Sequence, residues 1–259
     1  MSDQLTPDDT ESSDIPSLSK MLLRLQLPFL RENYHELAQT AVEQRWSHLD
    51  YLQRLVEGEV NRREDSGLAR RIRLARFPVL KTLDQFDWSW PKKINRPQLQ
   101  NLFRLQFIKQ KSNAILLGNV GLGKTHLLIA LGHTACLRGY SVHFTTAIDI
   151  IHTLSAASLA GNLQRAMQRY LKPSLLLIDE VGYLPVDKLG ADLLFQIIST
   201  RYERGAIALS TNRAYKKWPE IFNNDSTLTS AILDRLLHRC ETAVIEGKSY
   251  RAKDRVEDV

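Results

Sequence analysis

Cysteine is scarce: Cys136 and Cys240 are the only two in 259 residues, far apart and each in an apolar setting. This excludes a disulfide scaffold, and their surroundings match no zinc-ligand spacing. Also missing is any apolar run near the ~20 residues that a membrane-spanning helix needs. The opening residues, MSDQLTPDDTESSD, are acidic and polar, the opposite of a secretory or transit leader. A reducing cytoplasm is therefore the expected compartment. What is present is ordinary: 43% hydrophobic and 25% charged residues, enough for a sizeable core in one large domain or one domain with an appendage.

The net charge of +6 is unevenly spread. Residues 1–20 carry −4 and residues 21–60 carry −2, whereas residues 61–110 carry twelve bases against four acids. Charge concentrated in this way fits either a surface for a polyanion or a solvated, arginine-rich helix. Arg70, Arg71 and Arg73 are its candidate DNA contacts.

Residues 1–16 read as a disordered tail, 17–80 as a helical module, 81–96 as a linker and 97–259 as the main domain. Within the module Leu18, Met21, Leu22 and Leu25, then Leu49, Leu52, Leu55 and Val56, recur at helical spacing. Ser47 is placed to cap the second run, and Ser66 with Gly67 is expected to interrupt it. In the linker, Phe86, Trp88, Trp90 and Pro91 suggest a connector pinned by packing, with base stacking as the alternative.

After Pro97 the texture changes. A helical segment, QLQNLFRLQFIKQ, precedes four short apolar runs, NAILLG, SVHFTT, SLLLID and AIALST, separated by helical stretches. Buried strands alternating with helices predict an α/β fold with a parallel sheet covered on both faces.

The main chemical signal is Gly118-Asn119-Val120-Gly121-Leu122-Gly123-Lys124-Thr125, which fits G-x-x-x-x-G-K-[ST] between a strand and a helix. Its glycines let successive N–H groups face a phosphate, and the helix N-terminus adds favourable potential. Lys124 is placed to reach the β- and γ-phosphates, Thr125 to ligate Mg²⁺, and His126 completes the nucleotide-binding set. Asp179 and Glu180 end the next apolar strand, LLLIDE: Asp179 is the expected second Mg²⁺ residue and Glu180 the residue that polarises the attacking water. Asn212, after AIALST, either bonds a γ-phosphate or that water, or caps a turn.

Two arginines and one helix stay open on the residues alone. Arg235, in SAILDRLLHRC, is either a solvated or ion-paired residue or an arginine finger for a neighbouring subunit. Arg251 is a candidate contact to the subunit's own nucleotide. Arg165 and Arg169 lie one turn apart, on a face turned to a nucleic-acid backbone or to water.

With these motifs in this order, the chain resembles AAA+ ATPases. More closely it resembles the IstB-type transposition helpers and their relatives, the DnaC-type replicative helicase loaders. The diagnostic stretches are DEVGYLPVDKLGADLLFQIISTRYERG, ALSTN and SAILDRLLHRCETAVIEGKSYR. The resemblance, which runs from about residue 83 to 255, implies a P-loop AAA+ core with ATP and Mg²⁺ in a bacterial cytoplasm. It implies Asn212 as first sensor, Arg235 as arginine finger and Arg251 as second sensor. It further implies a homo-oligomer formed with ATP on double-stranded DNA, an IstA-type transposase as partner, and no membrane. A DNA-facing helical insertion maps to 147–170. With eight residues after Arg251, no C-terminal lid is expected, so Arg251 is expected to act from near the chain's end and the N-terminal helices to carry more of the assembly interface. A helicase loader is the alternative, with single-stranded nucleic acid and a ring helicase as its partners.

Overall fold

A computed structural model describes residues 17–90 and 93–250. The expected disordered tail, Pro91 and Arg251 lie outside the described residues. The chain divides into two compact units, Met1–Gly67 and Leu68–Val259.

The first unit holds α1 (Leu18–Arg24), α2 (Pro28–Glu43) and most of α3, which spans His48–Ala75. Ser47 caps α3 reciprocally: its hydroxyl accepts from the Asp50 N–H at 3.1 Å, and the Asp50 carboxylate accepts from the Ser47 N–H at 3.1 Å. Helix α2 opens on Pro28, and Leu27 at its N-cap has no side-chain acceptor. The buried Glu59 of α3 takes that role, accepting from the Phe29 N–H at 2.8 Å. Gly58 lies under the Phe29 ring, where an added Cβ would stand 2.0 Å from a ring carbon.

The expected break at Ser66 and Gly67 does not occur: α3 is continuous to Ala75. An interior glycine costs about 1 kcal/mol against alanine. Continuing the helix offsets this by packing Leu68, Ile72 and Ala75 against the core of the second unit.

The second unit is built on a six-stranded sheet: β1 (Lys93–Ile94), β2 (Asn113–Gly118), β3 (Val142–Thr146), β4 (Leu175–Val181), β5 (Ala206–Thr211) and β6 (Cys240–Glu246). The spatial order is β1-β6-β2-β5-β4-β3, parallel throughout except for β1. The four apolar runs are β2 to β5. Alternation along them divides the core. Ala114, Leu116, Leu175, Leu177, Ala206 and Ala208 face one layer, whereas Ile115, Leu176, Ile178, Ile207 and Leu209 face the other.

The first layer includes α4 (Arg96–Leu102), α5 (Gln106–Lys109) and α6 (Lys124–Leu137). A left-handed Leu105, φ 63°, splits the expected single segment into α4 and α5. The second layer includes α7 (Ala147–Leu159), α8 (Leu163–Leu171), α9 (Lys188–Arg201) and α10 (Ser226–Leu237). The insertion at 147–170 is thus two helices, parted at a left-handed Gly161. Among the described residues no helix is long and apolar enough to cross a membrane.

Candidate functional site

Because β5 lies between β2 and β4, the carboxyl ends of three strands meet at one place, where open α/β sheets bind ligands. From β2 comes the loop 118–123, from β4 Asp179 and Glu180, and from β5 Ser210, Thr211 and Asn212. The loop turns through Gly121 and Gly123, with φ of 80° and 79°, and Gly123 is the N-cap of α6. Both angles are in the left-handed region that glycine adopts without steric cost. Gly118 is needed for a different reason: an added Cβ would stand 2.4 Å from the Ile245 carbonyl oxygen of β6.

Side chains tie the three strand ends together. The Thr125 hydroxyl donates to Asp179 Oδ2 at 2.8 Å, and the Ser210 hydroxyl donates to Asp179 Oδ1. Ser210 also accepts from the Glu180 N–H at 3.1 Å. Lys124 Nζ donates to the Asn119 carbonyl at 2.8 Å, across the loop it closes.

Asp179 and Glu180 are adjacent, so a regular strand would send them to opposite faces. The strand is not regular here. Between the pairs Ile178–Leu209 and Val181–Thr211, β4 spends three steps where β5 spends two, and Glu180 has φ 60°. This bulge re-aims the side chain. Asp179 stays buried against Thr125 and Ser210, while Glu180 is exposed and lines the cleft.

The cleft has a volume of about 630 Å³ and includes Val120, Gly121, Leu122, Gly123, Lys124, Thr125 and His126 in its walls, along with Glu180 and Asn212. Asn212 Oδ1 is buried and has no hydrogen-bond partner among the described residues. Nucleotide and Mg²⁺ fit this donor set. Thr125 and Asp179 offer two hard oxygens, and among the described residues no cluster of three His, Cys, Asp or Glu could hold a metal by itself. A small divalent ion held by one or two protein oxygens and otherwise by phosphate and water has this requirement.

Sequence reasoning missed one wall of the cleft. Lys81, Gln85, Phe86, Asp87, Trp90 and Tyr250 line it. Phe86 is buried edge-on to Trp88 and His126, at centroid distances of 5.0 and 5.5 Å. His126 Nε2 bonds the Thr82 carbonyl at 2.8 Å, so the histidine ties this segment to α6. Trp90 Nε1 donates to the Lys248 carbonyl at 2.9 Å, and the Tyr250 N–H donates to the Gly121 carbonyl at 2.8 Å. The aromatic cluster was the available signal. The packing of Phe86 against Gly123 and His126, 37 and 40 residues downstream, was not legible locally.

The other candidates among the described residues are away from the cleft. Arg235 is half-buried on α10, donates to the Ala231 carbonyl at 2.9 Å and stacks over Phe195. Arg165 and Arg169 are exposed on α8, while Met167 and Tyr170 face inward. Arg70 and Arg73 are exposed near the end of α3. Arg71 is half-buried, and its Nε donates to the Cys136 carbonyl at 2.9 Å, because that position of α3 faces α6.

The family profile described as IstB-like ATP binding protein matches residues 20–258. Among curated proteins, the chain is 38% identical to the insertion sequence IS5376 putative ATP-binding protein of Geobacillus stearothermophilus, covering 90% of this chain and 92% of the relative. It is 37% identical to the insertion sequence IS21 putative ATP-binding protein of Pseudomonas aeruginosa, covering 92% and 89%. Among solved structures, AMPPCP-bound DnaA from Aquifex aeolicus is similar over 68% of this chain and 54% of that one, with 26% identity and a TM-score of 0.53. The DnaC helicase loader shares the fold over 64% and 96%, with 21% identity and a TM-score of 0.52.

Proposed function

The chain belongs to the IstB-like ATP-binding protein family, and from that premise we propose that it is an ATP-hydrolysing regulator of DNA transposition. It assembles with ATP as a homo-oligomer on duplex target DNA, then recruits and stimulates an IstA-type transposase. The observation that supports an ATPase rather than a passive nucleotide binder is the bulge at Glu180. It adds a second carboxylate to the cleft beside the Thr125–Asp179–Ser210 network.

In this reading the 118–123 amides cradle the phosphates, and Lys124 leaves the Asn119 carbonyl to reach the β- and γ-oxygens. Thr125 and Asp179 would hold Mg²⁺, which would supply neutralisation of phosphate charge when bound. Glu180 orients a water and accepts its proton as the water oxygen bonds the γ-phosphorus. The bond to the β–γ bridging oxygen breaks, and ADP and phosphate leave. Asn212 Oδ1, buried and without a partner among the described residues, accepts the same water's other hydrogen. His126 holds the 79–90 wall against the nucleotide. Arg235, remote from its own cleft, acts on the nucleotide of a neighbouring subunit. Arg251 follows Tyr250, which lines the cleft, and serves as the second sensor. ATP binding stabilises the DNA-bound assembly by mass action, and hydrolysis releases it.

The test is fluorescence anisotropy of labelled duplex and single-stranded DNA of equal length, with ATP–Mg²⁺ and without nucleotide. ATP-dependent binding that favours duplex supports the reading. A preference for single strands replaces it with a DnaC-type helicase loader, and DNA-independent behaviour with no turnover replaces it with a nucleotide-gated binding module.

A further inference from the structure

Ile178 and Val181 both pack into the second core layer, although residues three apart in a regular strand point to opposite faces. The bulge in β4 reconciles the two. On one side of β4, Asp179 keeps its register with Thr146 of β3. On the other, Ile178 is paired with Leu209 and Val181 with Thr211, so Asp179 and Glu180 together oppose Ser210 alone. Burial of Val181 in that layer therefore fixes that β4 bulges. It does not fix where the two bulged residues point.

Ser210 does. It is buried, 2% exposed, and its one hydroxyl is used twice. The hydroxyl donates to Asp179 Oδ1 and accepts from the Glu180 N–H at 3.1 Å. A hydroxyl carries one proton and two lone pairs, so the two bonds form together. A bulge disrupts the ladder and leaves its extra residue unpaired, and here a side chain takes the bulged N–H in place of a main-chain carbonyl. One oxygen atom thus holds the backbone of Glu180 in its left-handed conformation, φ 60°. It also holds Asp179 by the carboxylate oxygen that Thr125 does not use.

We propose that Ser210 is a positioning residue for ATP hydrolysis, aiming Glu180 at the attacking water and keeping Asp179 turned toward the metal position through this one hydroxyl. The proposal rests on the ATPase reading above and adds to it a residue that acts through the two carboxylates. Alignment of a base with its water governs the chemical step, and small misplacements there are costly. The contacts expected to bind the phosphates come instead from the 118–125 loop. Loss of the Ser210 hydroxyl therefore acts on kcat and leaves KM for ATP nearly unchanged.

The test is steady-state ATP turnover by the full chain with Mg²⁺ and duplex DNA. Ser210→Ala is expected to lower kcat about ten- to hundredfold while KM stays within about threefold of wild type. Ser210→Thr keeps the hydroxyl on a residue suited to a strand, and is expected to recover most of the loss. In a Glu180→Gln background, Ser210→Ala is expected to add nothing, because both changes act through the same carboxylate. Should Ser210→Ala not fold, Ser210→Cys keeps the shape with a weaker acceptor and is judged by the same split between kcat and KM. Wild-type kcat in Ser210→Ala, a change in KM alone, or losses that multiply in the double variant overturn the positioning role. If Glu180→Gln lowers turnover and Ser210→Ala does not, only the role of Ser210 is lost and the ATPase reading stands. If Glu180→Gln turns over ATP at the wild-type rate, the reading of Glu180 itself is wrong and this role goes with it.

Discussion

The Thr125 hydroxyl and the Asp179 carboxylate, 54 residues apart in sequence, meet at 2.8 Å where β2 and β4 end on either side of β5. The bond orients the two oxygens proposed above for Mg²⁺, and Asp179 is buried beside the cleft. We expect Asp179→Asn to abolish the Mg²⁺ dependence of nucleotide affinity. A fluorescent ATP analogue should bind wild type at least tenfold more tightly with Mg²⁺ than with chelator, and the variant equally in both. A variant that retained the wild-type ratio would remove Asp179 from the metal site.

Glu180 occupies a left-handed backbone conformation at a bulge, a local strain of the kind that persists at functional sites. Glu180→Gln keeps the shape and the cleft but cannot accept a proton. Turnover should fall on the order of 10²-fold or more, with nucleotide affinity within a few-fold of wild type. Light scattering should then show an ATP-bound, DNA-loaded assembly that outlasts that of wild type. Disassembly at the wild-type rate would mean that another group activates the water.

The loop 118–125 and strands β2 to β5 were legible because their signals are local: fixed offsets of Gly, Lys and Thr, and uninterrupted apolar runs. Strand β6 was not, since CETAVIE alternates Glu241, Thr242 and Glu246 with Ala243 and Ile245 and exposes Val244. It is a strand because β2 offers it a complete parallel ladder from Asn113 to Gly118. The cleft wall at 79–90 depends on Trp90 meeting Lys248 across 158 residues. No local pattern encodes that contact. The continuity of α3 through Gly67 was misjudged for the same reason, because local helix propensity was outweighed by tertiary burial of Leu68, Ile72 and Ala75.

The buried His143 carries a pH signature. Burial foremost, then the charges of Arg169 and Arg76, push its pKa from 6.5 down to about 4. Arg169 Nε donates to the ring at 3.1 Å, and the Tyr170 ring packs edge-on to it at 5.6 Å. The unfolded chain takes up a proton below about pH 6.5, and the folded chain does so only near 4. The neutral form therefore stabilises the fold fully above pH 6.5, and that contribution is lost as pH falls from 6.5 to 4. We expect it to amount to roughly 3 kcal/mol. Urea midpoints measured between pH 7.5 and 4.5 should decline less steeply in His143→Phe than in wild type. Parallel curves would show that His143 is not neutralised by folding.

Arg201 is 2% exposed and has no carboxylate partner among the described residues; it donates instead to five carbonyls, those of Tyr170, Leu171, Pro173, Ser174 and Ala206. Burial pushes its pKa down to about 10, so it remains charged at neutral pH. The guanidinium is planar and forked, and it gathers the end of α8 and the starts of β4 and β5 around one centre. Lysine has neither the reach nor the fork for five acceptors. Arg201→Met should cost on the order of 3 kcal/mol, because several buried carbonyls lose their donor at once. Arg201→Lys should recover only part of this. Gly205 supplies an internal control: an added Cβ would stand 2.7 Å from Arg201 Nη2, and its backbone needs no glycine conformation. Gly205→Ala should therefore destabilise wild type by forcing the guanidinium off its carbonyls, yet be nearly neutral, or stabilising, in the Arg201→Met background. Equal penalties in both backgrounds would show that Gly205 is required for some reason other than Arg201.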